Sequence, residues 1–307
     1  MPVAKTNQKI WSVLELLNWT SEYLAEKGFE NGRLNGERML AHVLNCKRVD
    51  LYLNFDRPLS PEELAKFKEL IKRRHSHEPL QYILGETEFF SLPVKVRPGV
   101  LIPRPETEIL VEQTLELCKS HYAESESIDI LDIGTGSGNI AVAIAKNIDK
   151  ARLVAIDVTQ EALDAAQENA KLNHVEDRIS FRRLDVLACE EKEFEASFDL
   201  IVSNPPYISS SEFERLPLEI RQFEPRSALL AREDGFEFYR HFALVMREWL
   251  KPGGFAILEI GAGMGEMTKA LFHQAGYGDV KITQDLAGRD RVITIRNSYV
   301  FGSSKST

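Results

Sequence analysis

The stretch IDILDIGTGSGNIAVAIAKNIDKARLVAIDV, residues 128–158, decides the fold of this 307-residue chain. A short apolar run, IDILDIG, enters Gly134, Gly136 and Gly138; the helical segment NIAVAIAKN follows, and then a second apolar run, ARLVAIDV. Strands this apolar belong to a parallel sheet covered on both faces, and strand–helix–strand at this spacing is its crossover unit. Towards the C-terminus the alternation continues. EALDAAQENAKLN reads as a helix, RISFRRLD, FDLIVSN and GGFAILEIG as strands, and FEFYRHFALVMREWL as the helix before the last of these. The final segment, VKITQDLAGRDRVITIRN, reads as two strands joined through Gly288-Arg289-Asp290, and so short a join requires antiparallel neighbours. The expected fold is α/β, a doubly wound, mostly parallel seven-stranded sheet closed by an antiparallel C-terminal hairpin.

Towards the N-terminus the period changes. Ile10, Val13, Leu14, Leu17 and Leu24 recur at helical spacing, as do Met39, Leu40, Val43 and Leu44. Ser60-Pro61-Glu62-Glu63 is a helix start, with an N-cap serine, proline at the first position and acids in the first turn. That helix carries Leu64, Phe67, Leu70 and Ile71 and ends on Lys72-Arg73-Arg74, cations that suit a helix C-terminus. Residues 81–102, QYILGETEFFSLPVKVRPGVLI, alternate short β-favouring runs with Gly85, Pro93 and Pro98-Gly99, which predicts a β-hairpin connector. Pro103-Arg104-Pro105 ends it, and Glu106-Thr107-Glu108 opens a helix with Ile109, Leu110, Leu115 and Leu117 on its apolar side. The expected organisation is a small helical domain over 1–80, a hairpin linker over 81–105 and the α/β domain over 106–300. NSYVFGSSKST, residues 297–307, reads as a loose tail.

Composition narrows the function classes. No apolar run approaches the roughly 20 residues that span a bilayer, and MPVAKTNQKIWSVLELL shows neither a signal-peptide nor a transit-peptide pattern. Cys46, Cys118 and Cys189 are far apart and form no CxxC, so a reducing cytoplasm is expected, with neither disulfides nor zinc. His75-Ser76-His77-Glu78 lacks a third ligand and reads as a polar helix end; no metal is expected. The net charge of −9 is uneven, +2 over residues 1–80 and −11 over 81–307. An acidic surface is poorly suited to a phosphate backbone, so neither a membrane nor a nucleic-acid substrate is expected.

Ligands of an open α/β sheet lie outside the carboxyl ends of its strands. Here the first strand ends in Asp132-Ile133-Gly134-Thr135-Gly136-Ser137-Gly138, the second in Asp157, the third in Asp185-Val186 and the fourth in Asn204-Pro205-Pro206-Tyr207. The glycines permit close approach of a ligand to the main chain, and Asp157 can accept hydrogen bonds from both hydroxyls of a ribose. The spacing is GxGxG rather than the dinucleotide GxGxxG, since Asn139 stands where the third glycine would be. In that order, glycine turn, ribose acid, adenine-side acid and Asn-Pro-Pro-Tyr, the chain resembles a class I S-adenosylmethionine-dependent methyltransferase, a Rossmann-like fold.

Asn204-Pro205-Pro206-Tyr207 suits a nitrogen whose lone pair is delocalised. Two acceptors, the Asn204 side-chain carbonyl and the Pro205 backbone carbonyl, can hold two N–H bonds and aim the lone pair at the sulfonium methyl. Pro206 stiffens the corner, and Tyr207 offers a flat face. The tetrapeptide does not by itself separate a DNA adenine from a protein glutamine.

Further motifs extend the resemblance over nearly the whole chain to the HemK/PrmC family of peptide chain release factor N5-glutamine methyltransferases. They are Gln81–Gly85 with Phe89, Leu101–Glu108, Leu131–Gly138, Asn204–Ile208, Glu224-Pro225 with Ala228-Leu229 and Asp234-Gly235, and Asp285–Gly288 with Arg291. The resemblance implies methylation of the glutamine in the Gly-Gly-Gln loop of class I release factors, with S-adenosylmethionine as donor and S-adenosylhomocysteine as product. It implies that Gly134, Thr135, Gly136, Ser137 and Gly138 face the methionine part of the donor and that Asp157 holds the ribose. Asp185 and Val186 would flank the adenine, Asn204 to Tyr207 would hold the substrate amide, and the helical domain would help to grip the release factor. Val186 departs from the aromatic common at its position in the family, which implies weaker stacking, and Ala231-Arg232-Glu233 replaces a glycine-richer stretch. Two other readings are a DNA adenine-N6 methyltransferase and a non-catalytic S-adenosylmethionine-binding module. Against the first stands residues 208–235, the one sizeable insertion after the tetrapeptide, which is not basic; against the second stand an intact Asn204 and glycine turn.

Overall fold

Serines set where two of the N-terminal helices begin in the computed structural model, which describes residues 10–232 and 234–298. The helices are α1 (Val13–Glu26), α2 (Gly32–Leu44), α3 (Arg48–Leu53), α4 (Pro61–His75) and α5 (Leu80–Leu84). Ser60 caps α4: its hydroxyl accepts from the Glu63 amide at 3.2 Å, and the Glu63 carboxylate accepts from the Ser60 amide at 2.8 Å. Ser12 and Glu15 form the same reciprocal box on α1, so the helix starts at Val13 and Ile10 stays outside it, exposed. Val13, Leu17, Leu24, Met39, Leu40, Phe67 and Ile71 form the core of this unit, while Leu14 faces out. The cations ending α4 are bound internally: Lys72 pairs with Glu69, Arg73 with Glu78, and buried Arg74 donates to Asn35 Oδ1 at 2.9 Å.

Residues 81–84 form the helix α5, not the extended run expected of QYIL. Leu80, Tyr82 and Ile83 are buried, and the Tyr82 and Ile83 carbonyls accept from the Arg73 guanidinium, so burial and a long-range donor override local β preference. The chain divides after Leu84, and the hairpin β1 (Glu86–Phe89) and β2 (Leu92–Lys95) belongs to the second unit. Its register follows the turn at Phe90-Ser91, both at positive φ.

That unit continues with α6 (Glu108–His121), β3 (Ile128–Ile133), α7 (Asn139–Asn147), β4 (Ala151–Asp157), α8 (Gln160–Leu172), β5 (Ile179–Arg183) and β6 (Phe198–Ser203). After α9 (Ser210–Phe213) and α10 (Leu218–Phe223) come α11 (Glu237–Trp249), β7 (Leu250–Glu259), α12 (Gly265–Gln274), β8 (Asp279–Gln284) and β9 (Asp290–Arg296). The sheet order is β5-β4-β3-β6-β7-β9-β8; β3 to β7 run parallel, and β9 pairs antiparallel with both β7 and β8. The connection between β8 and β9 is longer than the three residues expected, because Asp285 accepts from the Ala287 and Arg289 amides and Asp290 already belongs to the strand. α6 buries Leu110, Val111, Thr114 and Cys118 rather than the side marked by Ile109, Leu115 and Leu117. Tyr239, Phe242, Met246 and Trp249 of α11 pack fully buried against the sheet, each large apolar side chain contributing on the order of 2–3 kcal/mol. The chain moves outward from β3 to β4 and β5, then returns to β6 on the other side of β3. This makes a switch point between β3 and β6, where their carboxyl ends leave a crevice. The loose tail expected over 297–307 does not begin at Asn297, which is buried and donates to the Leu250 carbonyl at 3.1 Å; residues 299–307 lie outside the described ones.

Candidate active site

A cavity of about 1020 Å³, counted to its open mouth, occupies that crevice. Gly134, Thr135, Gly136 and Ser137 line it from β3, Asp157 from β4, Asp185 and Val186 from the end of β5, and Asn204, Pro205 and Pro206 from β6. The two remaining expected residues lie elsewhere. Gly138 stands behind the turn at φ +78°, where an added Cβ would come within 2.9 Å of Ala166 in α8. Its glycine serves close packing against the small Ala166 of that helix. Tyr207 lines an adjoining hollow with Leu101, Arg104, Leu216 and Ile220, and Asn204, Pro205 and Pro206 form a wall of both spaces.

The glycine turn is held by the next strand. The Gly134 and Thr135 amides both donate to the Ile156 carbonyl, at 2.9 and 3.0 Å, and the Gly136 amide donates to Asp157 Oδ2 at 3.0 Å. Asp157 Oδ1 accepts from the amide and hydroxyl of Thr159, so the carboxylate is fixed on both oxygens and keeps lone pairs for a ligand. At Gly134, φ +71°, a Cβ would meet nothing within 4 Å; the backbone leaves a cradle on the cavity side. Asn169, fully buried on α8, donates to the Ser137 and Lys95 carbonyls and so fastens the β1–β2 hairpin to the turn.

Asp132, at the end of β3, is buried completely. Burial pushes its carboxyl up to about 7, Asp157 nearby adds to the rise, and the Thr135 hydroxyl, donating to Oδ2 at 2.6 Å, opposes it. The Ala141 amide also favours the charged form, while Oδ1 has no hydrogen-bond partner among the described residues.

Around Asn204 the structure assembles residues that local pattern does not connect. Asn204 Nδ2 donates to Thr107 Oγ1 at 3.1 Å, and that hydroxyl donates to Glu259 Oε2 at 2.6 Å. The Tyr207 hydroxyl donates to Glu259 Oε1 at 3.3 Å, and the Tyr239 hydroxyl to the Glu259 carbonyl at 2.8 Å. Burial raises the Tyr207 phenol well above its ordinary value, with the Glu259 charge adding to it. Gly235 and Gly261 leave room for Tyr207: a Cβ at Gly235 would lie 2.5 Å from the Tyr207 carbonyl. Buried Glu224 accepts from Arg104 and from the Ile102 amide, tying the loop before α6 to the segment after β6.

The family model described as the PrmC N-terminal domain matches residues 15–85, and the one described as the methyltransferase small domain matches residues 107–219. A release factor glutamine methyltransferase of Geobacter sulfurreducens is 44% identical over 285 residues, covering 93% of this chain and 96% of that protein. One of Rhodopirellula baltica is 38% identical over 294 residues, covering 95% and 99%. The chain belongs to the release factor glutamine methyltransferase family. Among solved structures, the hMettl16 catalytic domain in complex with the MAT2A 3'UTR hairpin 6 aligns with a TM-score of 0.55 at 17% identity, over 75% of this chain and 83% of that one. A methyltransferase from Pyrococcus furiosus aligns at 0.50 and 19%, over 69% and 91%. With these likenesses, the sheet order and its antiparallel end, this chain has the class I methyltransferase fold, Rossmann-like.

Within this family fold, Phe238 and Phe242 from α11 line the cavity on which Val186 also borders, so aromatic surface comes from a helix rather than from position 186. Phe238 carried no signal in the sequence beyond its helical period. Thr107 and Glu259 carried a weak one, as polar residues in otherwise apolar or helix-opening stretches. Among the described residues no group of three or more His, Cys, Asp or Glu side chains is arranged to hold a metal, and no helix is long and apolar enough to cross a membrane.

Proposed function

We propose that this chain transfers a methyl group from S-adenosylmethionine to the side-chain amide nitrogen of the glutamine in the Gly-Gly-Gln loop of class I peptide chain release factors. The observation that carries the reading is the wall of Asn204, Pro205 and Pro206 shared by two spaces, in a chain that aligns almost end to end with relatives of that name. One space has a glycine cradle and a fixed carboxylate, which fit a donor with an amino-acid end and a ribose. The other is apolar and fits a substrate side chain.

Gly134 to Ser137 hold the methionine end, Asp157 the ribose hydroxyls, and Asp185 with Val186, Phe238 and Phe242 the adenine. The donor, when bound, supplies a methyl already activated by positive sulfur. Asn204 Oδ1 and the Pro205 carbonyl accept the two amide N–H bonds and turn the nitrogen lone pair towards that methyl. As the N–C bond forms the C–S bond breaks, sulfur takes the electron pair, and the nitrogen releases one proton to water. Tyr207, anchored by its hydroxyl, packs on the amide plane. The helical unit grips the release factor, and the free thiols Cys46, Cys118 and Cys189 accord with a cytoplasmic setting.

The test incubates the purified chain with donor and either a class I release factor or duplex DNA, followed by mass spectrometry of tryptic peptides and nucleosides. One methylated glutamine is expected; a methylated adenine instead would replace the reading with that of a DNA methyltransferase. Asn204→Ala is expected to abolish transfer while donor binding persists, and unchanged turnover would refute the role of Asn204.

A further inference from the structure

We propose that Thr107 and Glu259 are positioning residues, a hydrogen-bond relay that determines which end of the Asn204 amide faces the substrate. The inference rests on the role proposed above for Asn204. The two ends of an asparagine amide have nearly the same shape, yet one accepts and the other donates. Only the oxygen can receive a substrate N–H; a flipped Asn204 would set donor against donor. Something must discriminate between the two, and packing alone does not.

The relay does so by polarity. An ionised carboxylate only accepts, so Glu259 Oε2, 2.6 Å from Thr107 Oγ1, claims the single hydrogen of that hydroxyl. Oγ1 is then left with lone pairs towards Asn204 and can only accept from it. Nδ2 therefore turns inward, at 3.1 Å, and Oδ1 is presented to the substrate. Thr107 and Glu259 are each 1% exposed, so water does not compete for either partner. If Glu259 takes up a proton, its O–H can donate to Thr107, the threonine hydrogen becomes free to donate to Asn204, and both amide orientations are tolerated.

The groups around Glu259 bear on when this happens. Tyr207 after β6 and Thr107 before α6 donate to its carboxylate, and Tyr239 of α11 donates to its carbonyl. Arg291 of β9, itself paired with Asp285, favours the charged form, and Glu106 opposes it. Burial outweighs these donors and brings the carboxyl up to about 7. Transfer is therefore expected to fall as pH drops through about 7, because the protonated relay no longer selects an orientation. Asp132 also titrates near about 7, so the profile needs a variant at Glu259 to identify the group.

The experiment measures kcat and KM for wild type, Thr107→Val, Thr107→Ser and Glu259→Gln with a release factor substrate between pH 6 and 9, alongside S-adenosylhomocysteine binding by calorimetry. Thr107→Val, of the same shape without the hydroxyl, is expected to lower kcat by roughly 10- to 100-fold, as for a misaligned reacting group, with S-adenosylhomocysteine binding unchanged. Thr107→Ser is expected to restore most of that loss. Glu259→Gln is expected to lose the fall in kcat below pH 7, and it serves as the test if Thr107→Val does not fold. Wild-type kcat in Thr107→Val, or an unaltered acid limb in Glu259→Gln, would overturn the relay alone. A wild-type chain that fails to methylate the release factor would overturn the reading beneath it.

Discussion

Gly134 and Gly138 sit four positions apart at nearly the same positive φ, +71° and +78°, and alanine should expose their different reasons for being glycine. Any L-residue there bears about 1–2 kcal/mol for the left-handed backbone. At Gly134 that is the whole cost to folding, since a methyl meets nothing within 4 Å. At Gly138 the methyl would come within 2.9 Å of the Ala166 backbone, which cannot retreat without moving α8 as a whole. Overpacking of that kind adds about 1–3 kcal/mol. Gly138→Ala should therefore be less stable than Gly134→Ala by about 1–3 kcal/mol, or about 2–12 °C in melting midpoint for a unit of this size. Binding should rank the other way, because the Gly134 methyl enters the cavity and the Gly138 methyl does not. Thermal denaturation by circular dichroism and titration with S-adenosylhomocysteine would measure both orders in the same two proteins. Equal midpoints, or a less stable Gly134→Ala, would refute the division of roles.

Other consequences concern buried charge. The Asp132 carboxyl is raised from an unfolded value of about 3.9 to about 7, so the native chain holds a proton that the unfolded chain releases. Its contribution to stability is present below the unfolded value and falls as pH rises through about 7, by up to about 4 kcal/mol. Glu259 is displaced in the same direction, so Asp132→Asn should remove about half of the loss in urea midpoint between pH 5 and pH 8. An unchanged slope would count against the buried neutral carboxyl. Arg104→Ala strands the Glu224 carboxylate, 1% exposed, and should cost about 3 kcal/mol, the low end for a broken buried pair because Arg104 is 32% exposed. Glu224→Gln should cost less, and a loss under about 1 kcal/mol in Arg104→Ala by urea denaturation would show that water replaces the guanidinium.

Much of this protein was written locally. Apolar runs bounded by glycine turns specify buried parallel strands, because such segments have no other way to satisfy both faces of a sheet. Ser60 with Glu63 specifies a helix start through bonds that span three residues. The strand-end residues Gly134, Asp157 and Asn204 were legible as a set, since any doubly wound sheet brings its carboxyl ends to one edge. Where local preference met a distant partner it failed: QYIL became the helix α5 because Arg73 and the core of its unit decide what its backbone and side chains bond to. The same limit governs the site. Thr107 meets Asn204 across 97 positions and Glu259 across 152, and it takes both the placement of β7 beside β6 and the packing of α6 against β7 to bring these polar atoms within hydrogen-bond reach. By itself the sequence determined the sheet, its helices and the four strand ends that line the crevice, because periodicity and turn chemistry act over a few residues. Strand order and packing alone decided that Gly138 serves α8 rather than the cavity, that Phe238 lines it, and that Asn204 is backed by a buried carboxylate.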